Sequence, residues 1–148
     1  MIRIEIPVDV ARPVQEVFAY VTDLERLGEW QPNVVSVTKQ TEGPMGQGTR
    51  LREVRRGPFG RNMEAIVEVS AYEPNRRFDL QVASGPLPID GGHEFHETAA
   101  GTRIDFVAQG QPGGPLRLAE PLFARVLKRQ FGGYYERLKA VLESRGPE

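Results

Sequence analysis

Apolar and charged residues alternate over the first ten positions of the chain, a pattern typical of a β-strand with one buried face. The apolar positions are Ile2, Ile4, Ile6, Val8 and Val10. Pro7 interrupts this alternation. Because proline has no backbone N–H to donate to a neighbouring strand, we expect part of the strand to lie at a sheet edge or at a bulge.

Two short helices are predicted after this strand. Pro13 suits the first turn of a helix, because its missing N–H is not needed there. The apolar residues that follow recur at helical spacing, and they are Val14, Val17, Phe18, Val21, Leu24 and Leu27. We expect the second helix to end at Gly28 and the chain to turn at residues 30–32.

Between residues 34 and 106 the apolar period is mostly two, and turns rich in glycine and proline separate the runs. The clearest alternation comprises Met63, Ala65, Val67, Val69 and Ala71. Short links between successive strands indicate antiparallel hairpins, because parallel strands need long crossover connections. This region therefore predicts about six further strands, and about seven in all.

A long amphipathic helix is predicted after the break at residues 111–115. Its apolar positions recur every three or four residues, and they are Leu118, Leu122, Val126 or Leu127, Phe131, Tyr134 or Tyr135, Leu138 and Leu142. We expect a kink near Pro121 and a looser turn at Gly132 and Gly133. Close packing of the helix on the sheet would explain the glycine pair.

The order of elements predicts a single α+β domain over residues 1–148, with an antiparallel sheet and its helices on one side. One long helix can cover only part of a curved sheet of about seven strands. The uncovered concave region must then be filled by large side chains or left as a pocket.

The amino-acid composition excludes several classes of binding partner. Lysine and arginine number 19 and aspartate and glutamate 20, so there is no basic excess of the kind that nucleic-acid binding requires. The chain has no cysteine, which excludes disulfides and thiolate metal sites and fits a reducing cytoplasm. We find neither the apolar stretch of a signal peptide nor a run of the ~20 apolar residues that a membrane span needs. A cytoplasmic, soluble protein is therefore expected.

Four segments, taken in this order, carry a resemblance to a known family. They are residues 11–18 (ARPVQEVF), 24–34 (LERLGEWQPNV), 48–50 (GTR) and 100–104 (AGTRI). With the order of elements, they resemble the START-like (SRPBCC) superfamily, and within it the bacterial polyketide cyclase/dehydrase and lipid-transport group. The resemblance implies a helix-grip fold, in which a curved antiparallel sheet surrounds the C-terminal helix. It implies no universal catalytic residue, since members of the family bind lipids, hormones or polyketides and a smaller set cyclise or dehydrate polyketides.

Two titratable residues are candidates for acid–base chemistry. Glu53 has the same strand parity as Leu51, so it faces inward if Leu51 does, and apolar surroundings would raise its pKa. The alternative is that Glu53 lies near the strand end, where it is solvated or forms a salt bridge with a neighbouring arginine. His93 has the parity of Phe95, and an inward imidazole could exchange a proton with a bound carbonyl compound. The alternative is a histidine at the pocket rim near Gly91 and Gly92, or one hydrogen-bonded in the core.

No metal site is predicted. His96 lies three residues beyond His93 and therefore has the opposite parity, so the two imidazoles cannot converge on one ion. There is also no phosphate-binding glycine-rich loop with lysine, no nucleophile elbow and no His-Glu-x-x-His helix. We expect no cofactor.

The residues expected to line a ligand pocket are mostly apolar or aromatic. They are Trp30, Leu51, Met63, Val67, Phe78, Leu80, Phe95, Phe106, Phe131 and Tyr134. Trp30 could cap a ligand at the pocket mouth or plug the end of the sheet. One of the adjacent tyrosines Tyr134 and Tyr135 should face inward, and Phe59 is expected to be a lining or core residue.

Three hypotheses about function follow. The first is a protein that binds a hydrophobic, lipid-like or polyketide-like molecule in an internal cavity. The second is a cyclase or dehydratase in which Glu53 and His93 act as acid and base. The third is an interaction domain with a collapsed pocket, which the nonpolar residues of the final helix favour. A monomer and a homodimer both remain open.

Overall fold

The computed structural model describes residues 1–57, 60–111 and 120–145. In chain order the elements are β1 (Ile2–Val10), α1 (Val14–Val21), α2 (Leu27–Trp30), β2 (Val34–Lys39), β3 (Arg50–Arg56), β4 (Asn62–Glu73), β5 (Arg77–Ser84), β6 (Ile89–Thr98), β7 (Gly101–Gly110) and α3 (Glu120–Ser144). A 3₁₀ turn, Leu24–Arg26, leads directly into α2. The sequence predicted one strand, two short helices, six strands and a long helix. This order is confirmed.

The strands form one sheet of seven, in the order β1-β7-β6-β5-β4-β3-β2. All neighbours are antiparallel, as the short links predicted. β1 is an edge strand that pairs only with β7, and Pro7 lies opposite Asp105. The expectation that Pro7 marks an edge is therefore confirmed.

The regular alternation predicted for β4 is broken near its end. The pairing with β5 shifts between Val69 and Ala71, which marks a β-bulge. After this bulge Tyr72 lies opposite Phe78, and its ring packs edge-on against Phe18 of α1 at a centroid distance of 5.5 Å. The bulge thus turns an aromatic side chain inward where a simple period of two placed it outside.

The core lies between the sheet and the helices. α1 buries Val14, Val17, Phe18, Tyr20 and Val21, and α3 buries Leu127, Tyr134, Tyr135, Leu138 and Leu142. α3 runs along the edge strand β1, where Lys139 Nζ donates to the Asp9 carbonyl at 2.5 Å and Glu143 accepts from the Ala11 N–H at 2.9 Å. Covering the edge strand protects backbone groups that would otherwise be open to pairing with another chain.

Several details of the helices differ from the sequence expectations. Gly28 lies inside α2 and does not end it. Leu122 is 66% exposed, and its neighbours Phe123 and Ala124 pack against the core instead. Both Tyr134 and Tyr135 are buried, where only one was expected to face inward. Leu118, Phe59 and residues 112–115 lie outside the described residues.

The glycine pair of α3 has no packing partner. α3 is one continuous helix from Glu120 to Ser144, and Pro121 lies in its first turn, where proline is tolerated. A Cβ placed on Gly132 or Gly133 would meet no atom within 4 Å. The explanation of the pair by close packing on the sheet was therefore wrong. Within the described residues, no helix is long and apolar enough to cross a membrane.

Replacing Gly132 and Gly133 by alanine should stabilise the fold. Each glycine in a helix interior costs about 1 kcal/mol relative to alanine, and both sites have room for a methyl group. We expect the double variant Gly132→Ala/Gly133→Ala to raise the free energy of unfolding in urea by about 1–2 kcal/mol.

Gly101→Ala is the matched control. Gly101 has a φ of +147°, and a Cβ there would meet the Val10 carbonyl oxygen and the Arg12 amide nitrogen. This variant should be destabilised. Equal stabilities of the wild type and the double variant would show that the helix gains nothing from alanine at these positions.

Candidate ligand-binding site

The inner face of the sheet is unevenly covered. α1 and α3 pack on the side of β1, β6 and β7, where side chains such as Ile104 and Ala108 are fully buried, and the short helix α2 contacts β2 and α3. On β4 and β5, Met63, Leu80 and Val82 have the inward parity of Val67 and Val69 but are only half-buried. This partly open region over β3–β5, hereafter the open concave face, is the candidate binding surface.

The predicted lining residues divide between this face and the main core. Leu51, Met63, Val67 and Leu80 lie on the open concave face, as parity predicts, and Leu80 also packs against the main core. Phe78, Phe95 and Phe106 are buried in the main core. Phe131 is half-buried on α3, and its ring lies 5.3 Å from that of Phe106.

His93 faces inward and is 5% exposed. Its Nδ1 lies 3.1 Å from the carbonyl oxygen of Phe78, and its Nε2 lies 2.5 Å from the hydroxyl of Tyr135. Since a carbonyl oxygen can only accept, Nδ1 carries the proton, and the Tyr135 hydroxyl donates to Nε2. Burial lowers the pKa of His93 to about 4, so the ring is neutral at pH 7.

Aromatic rings enclose this imidazole. The rings of Phe78, Phe95, Phe106 and Tyr135 have centroids between 5.0 and 6.1 Å from that of His93. Burial also raises the pKa of Tyr135 well above its ordinary value. His93 and Tyr135 are therefore both neutral, and the hydrogen bond between them lies in an apolar environment.

A second polar network lies on β3 and the segment before β2. Glu53 is 8% exposed, and its carboxylate accepts from Arg55 at 3.3 and 3.4 Å. Arg55 also donates to Asn33 Oδ1 at 3.3 Å, and the Tyr134 hydroxyl donates to the same oxygen at 2.7 Å. Burial raises the pKa of Tyr134. The salt bridge that we considered for Glu53 is therefore present.

Asn33 and Arg55 were not among the predicted site residues. Arg55 could have been found, because it shares the inward parity of Glu53. Asn33 follows Pro32 in a turn, and no periodicity indicates its direction. Only the three-dimensional structure brings its amide beside a tyrosine from α3.

Glu53 and His93 belong to separate networks. Among the described residues they share no hydrogen-bond partner, and strands β4 and β5 lie between β3 and β6. Joint action on one ligand atom would require the aromatic rings around His93 to move. Their acid–base pairing stays a prediction.

Trp30 is 1% exposed, and its ring lies 5.3 Å from that of Tyr135. This burial favours the plug over the cap that the sequence left open. Its Nε1 is enclosed and has no hydrogen-bond partner in the described part of the chain. Such a donor costs about 1–3 kcal/mol when it is left unpaired.

His96 is exposed, as its parity predicts, with Nε2 3.3 Å from Asp105 and 3.6 Å from Glu94. Over residues 1–57, 60–111 and 120–145 no group of three or more potential ligands could hold a metal ion.

Two open clefts lie at the surface, and Leu80 is among the residues that line the first of them. One of about 540 Å³ lies on the outer side of the sheet, floored by Gly91 and Gly92 and walled by charged residues. The other, of about 470 Å³, lies beside α3 and reaches Pro32 and Tyr134. The second cleft therefore touches the Asn33–Tyr134 network from outside.

His93 should make the fold sensitive to mild acid. The imidazole has a pKa of about 4 when folded and about 6.5 when unfolded, so protons bind the unfolded chain first. The contribution of the neutral imidazole to the free energy of unfolding is fully present above pH 6.5 and is lost as the pH falls toward 4. Between pH 7.5 and 5 we expect a loss on the order of 2 kcal/mol in urea unfolding.

The chain has two histidines, which provides a matched control. His93→Gln should remove most of this loss, whereas His96→Gln should retain it. A loss of the same size in His93→Gln would assign the acid sensitivity to other groups.

A family model described as polyketide cyclase/dehydrase and lipid transport matches residues 1–143. No curated protein sequence matches the chain significantly.

The solved structures that resemble the chain share its fold at low sequence identity. A protein from Nitrosomonas europaea has a TM-score of 0.75 at 18% identity, with 97% of this chain and 95% of that chain covered. A Staphylococcus aureus protein of unknown function has a TM-score of 0.73 at 12% identity, covering 97% and 94%. Ara h 8.0201 has a TM-score of 0.70 at 16% identity, covering 97% and 98%. Because the family model spans nearly the whole chain, the protein belongs to the polyketide cyclase/dehydrase and lipid transport family.

Proposed function

We propose that this protein binds a hydrophobic small molecule, lipid-like or polyketide-like, against the open concave face. The observation that carries the proposal is the partial exposure of inward-facing apolar residues there. Met63, Leu80 and Val82 point to the inside of the sheet yet remain half-buried. Apolar side chains on a concave surface favour a ligand that covers them, because burial removes them from water.

The composition of this surface suits a ligand that is mostly apolar. Leu51 and Val67 are buried but lie outside the main core cluster, so they form a separate apolar floor. Polar groups are concentrated at one end, where Arg55 donates to both Glu53 and Asn33. An apolar surface with a few grouped polar atoms is the usual arrangement of a small-molecule site.

Membership in the family supports the same proposal, since its description names both polyketide chemistry and lipid transport. Lipids are largely apolar molecules, and so are many polyketides. Burying 200 Å² of apolar ligand surface would provide about 5 kcal/mol before the entropic costs of association.

Two adjacent residues of β5 provide the test. Val82 is half-buried with inward parity, whereas Ala83 is exposed. We expect Val82→Phe to fill the open concave face and to weaken the binding of N-phenyl-1-naphthylamine, a neutral fluorescent probe, by about tenfold. The expected loss corresponds to about 60 Å² of apolar contact.

Ala83→Phe, which adds a ring of the same size outside, should leave the affinity unchanged. Circular dichroism should show that both variants are folded. Equal affinities of Val82→Phe and wild type would contradict the proposed site. Native mass spectrometry of the purified protein would then identify the class of any ligand that it retains.

A further inference from the structure

Exposed apolar side chains cluster at the N-terminal end of α3. Among the described residues, the large hydrophobic side chains that remain exposed are those of Met1, Val35, Leu122 and Val126. Leu122 and Val126 are four residues apart and are therefore neighbours on one face of the helix. The amino group of Met1 forms a salt bridge with Glu120 at 2.6 Å, which holds the N-terminus at the first residue of α3. Three of these four side chains thus lie at one place, whereas Val35 lies on β2 at the far edge of the sheet.

The cations beside these side chains have no acidic partner. Arg125, Lys128 and Arg129 are exposed, and none of them forms a salt bridge with any residue that the structure describes. No aspartate or glutamate lies three or four residues from any of the three in the sequence. Arg125 instead lies three residues from Lys128 and four from Arg129, spacings at which like charges repel each other on a helix. By contrast, Arg52 on the outer face of the sheet pairs with Glu64 at 2.6 Å.

The apolar and cationic side chains share the outer face of α3. Consecutive residues of a helix are about 100° apart, so Leu122, Arg125, Val126 and Arg129 fall within one arc of about 100°. The buried Leu138 lies on the opposite side of the helix. The group that we call the α3 patch consists of Met1, Leu122, Arg125, Val126, Lys128 and Arg129.

The α3 patch is unfavourable for the isolated chain. Its apolar side chains remain in contact with water, and its cations repel one another along the helix. A surface that is both apolar and anionic would remove the two costs together. The charge of the patch therefore indicates what covers it, which the apolar residues alone do not.

A second copy of the chain offers charge but little apolar surface. The cleft on the outer side of the sheet has an acidic excess, because its lining includes Glu5, Asp79, Asp90, Glu94 and Asp105 but only Arg3 and Arg77 as bases. Apart from its two glycines, the apolar residues of that lining are Leu80 and Val107. An anionic bilayer instead presents phosphate oxygens to the cations and acyl chains to the apolar side chains. A broad, flat surface also suits the convex outer face of a helix.

We propose that the α3 patch docks on the surface of an anionic phospholipid bilayer. Leu122 and Val126 enter the headgroup region, while Arg125, Lys128 and Arg129 pair with lipid phosphates. The docking is reversible, since two apolar side chains and three cations are fewer groups than a stable lipid anchor supplies. This proposal goes beyond the proposed function, because binding of a ligand at the open concave face does not require it.

Co-sedimentation of the full chain with vesicles tests the proposal. We expect binding to vesicles of phosphatidylcholine and phosphatidylglycerol, and none to vesicles of phosphatidylcholine alone. Raising the salt concentration to about 1 M should release the protein, because the Debye length then falls to about 3 Å.

Two double variants with the same change in charge separate the α3 patch from the net charge of the protein. Arg125→Gln/Arg129→Gln should weaken binding to the anionic vesicles roughly thirtyfold, because each cation near such a surface contributes about one tenfold step or slightly less. Arg61→Gln/Arg76→Gln is the matched control. Both of these arginines are exposed and lie at the ends of β4, away from α3, so the affinity should not change.

Two valines of similar exposure test the insertion of the apolar side chains. Val126 is 57% exposed in the α3 patch, and Val35 is 49% exposed on β2. The fluorescence emission of Val126→Trp should shift to shorter wavelength when anionic vesicles are added, whereas that of Val35→Trp should not. Trp30 is buried, so it contributes the same background to both variants.

Four results would overturn the proposal. They are equal binding to neutral and anionic vesicles, an equal loss in the two double variants, an unshifted emission of Val126→Trp, and no binding to vesicles at all. In the last case, a dimer in size-exclusion chromatography with light scattering that Arg125→Gln/Arg129→Gln dissociates would assign the α3 patch to a second copy of the chain. The binding of N-phenyl-1-naphthylamine is measured without vesicles, so a failure of this proposal leaves the proposed function intact.

Discussion

The position of α3 along the edge strand β1 determines the rest of the interior. Contacts from Lys139 to Asp9 and from Ala11 to Glu143 tie the helix to that edge. A helix of 25 residues held there covers the strands near β1, and the far side of the inner face depends on other groups for cover. The buried core and the open concave face are therefore consequences of one constraint, the fixed position of a single helix on a wide sheet.

The adjacent tyrosines of α3 connect the two halves. Tyr135 points to the core and completes the hydrogen bonding of His93, while Tyr134 bonds to Asn33 beside the Glu53–Arg55 pair. Consecutive helical residues differ in direction by about 100°, so one turn of α3 can reach both networks. Two glycines with no packing role precede these tyrosines in the helix. The turn of α3 that contains these two glycines thus adjoins the residues that join the core to the candidate site.

Strand periodicity predicted which polar residues face inward. Leu51 and Phe95 anchored the parity of Glu53 and His93, and the structure buries all four side chains. The same reasoning could not foresee the β-bulge that turns Tyr72 inward, since a bulge shifts the register without an apolar signal. It also left the choice between Tyr134 and Tyr135 open, because α3 contacts both the core and the Asn33 network and therefore buries more than one narrow stripe. The partners of Glu53 and His93 come from distant parts of the chain, and no local pattern predicts such pairs.

The central claim is that a hydrophobic ligand occupies the open concave face and not the outside of α3. Methyl ¹H–¹³C spectra recorded during titration with 2-acetylnaphthalene test this most directly. The account predicts that the largest shifts occur at Leu51, Val67, Leu80 and Val82, with small shifts at the core residues Val17 and Leu142. The largest shifts at Leu122 and Val126, which are 66% and 57% exposed, would contradict it.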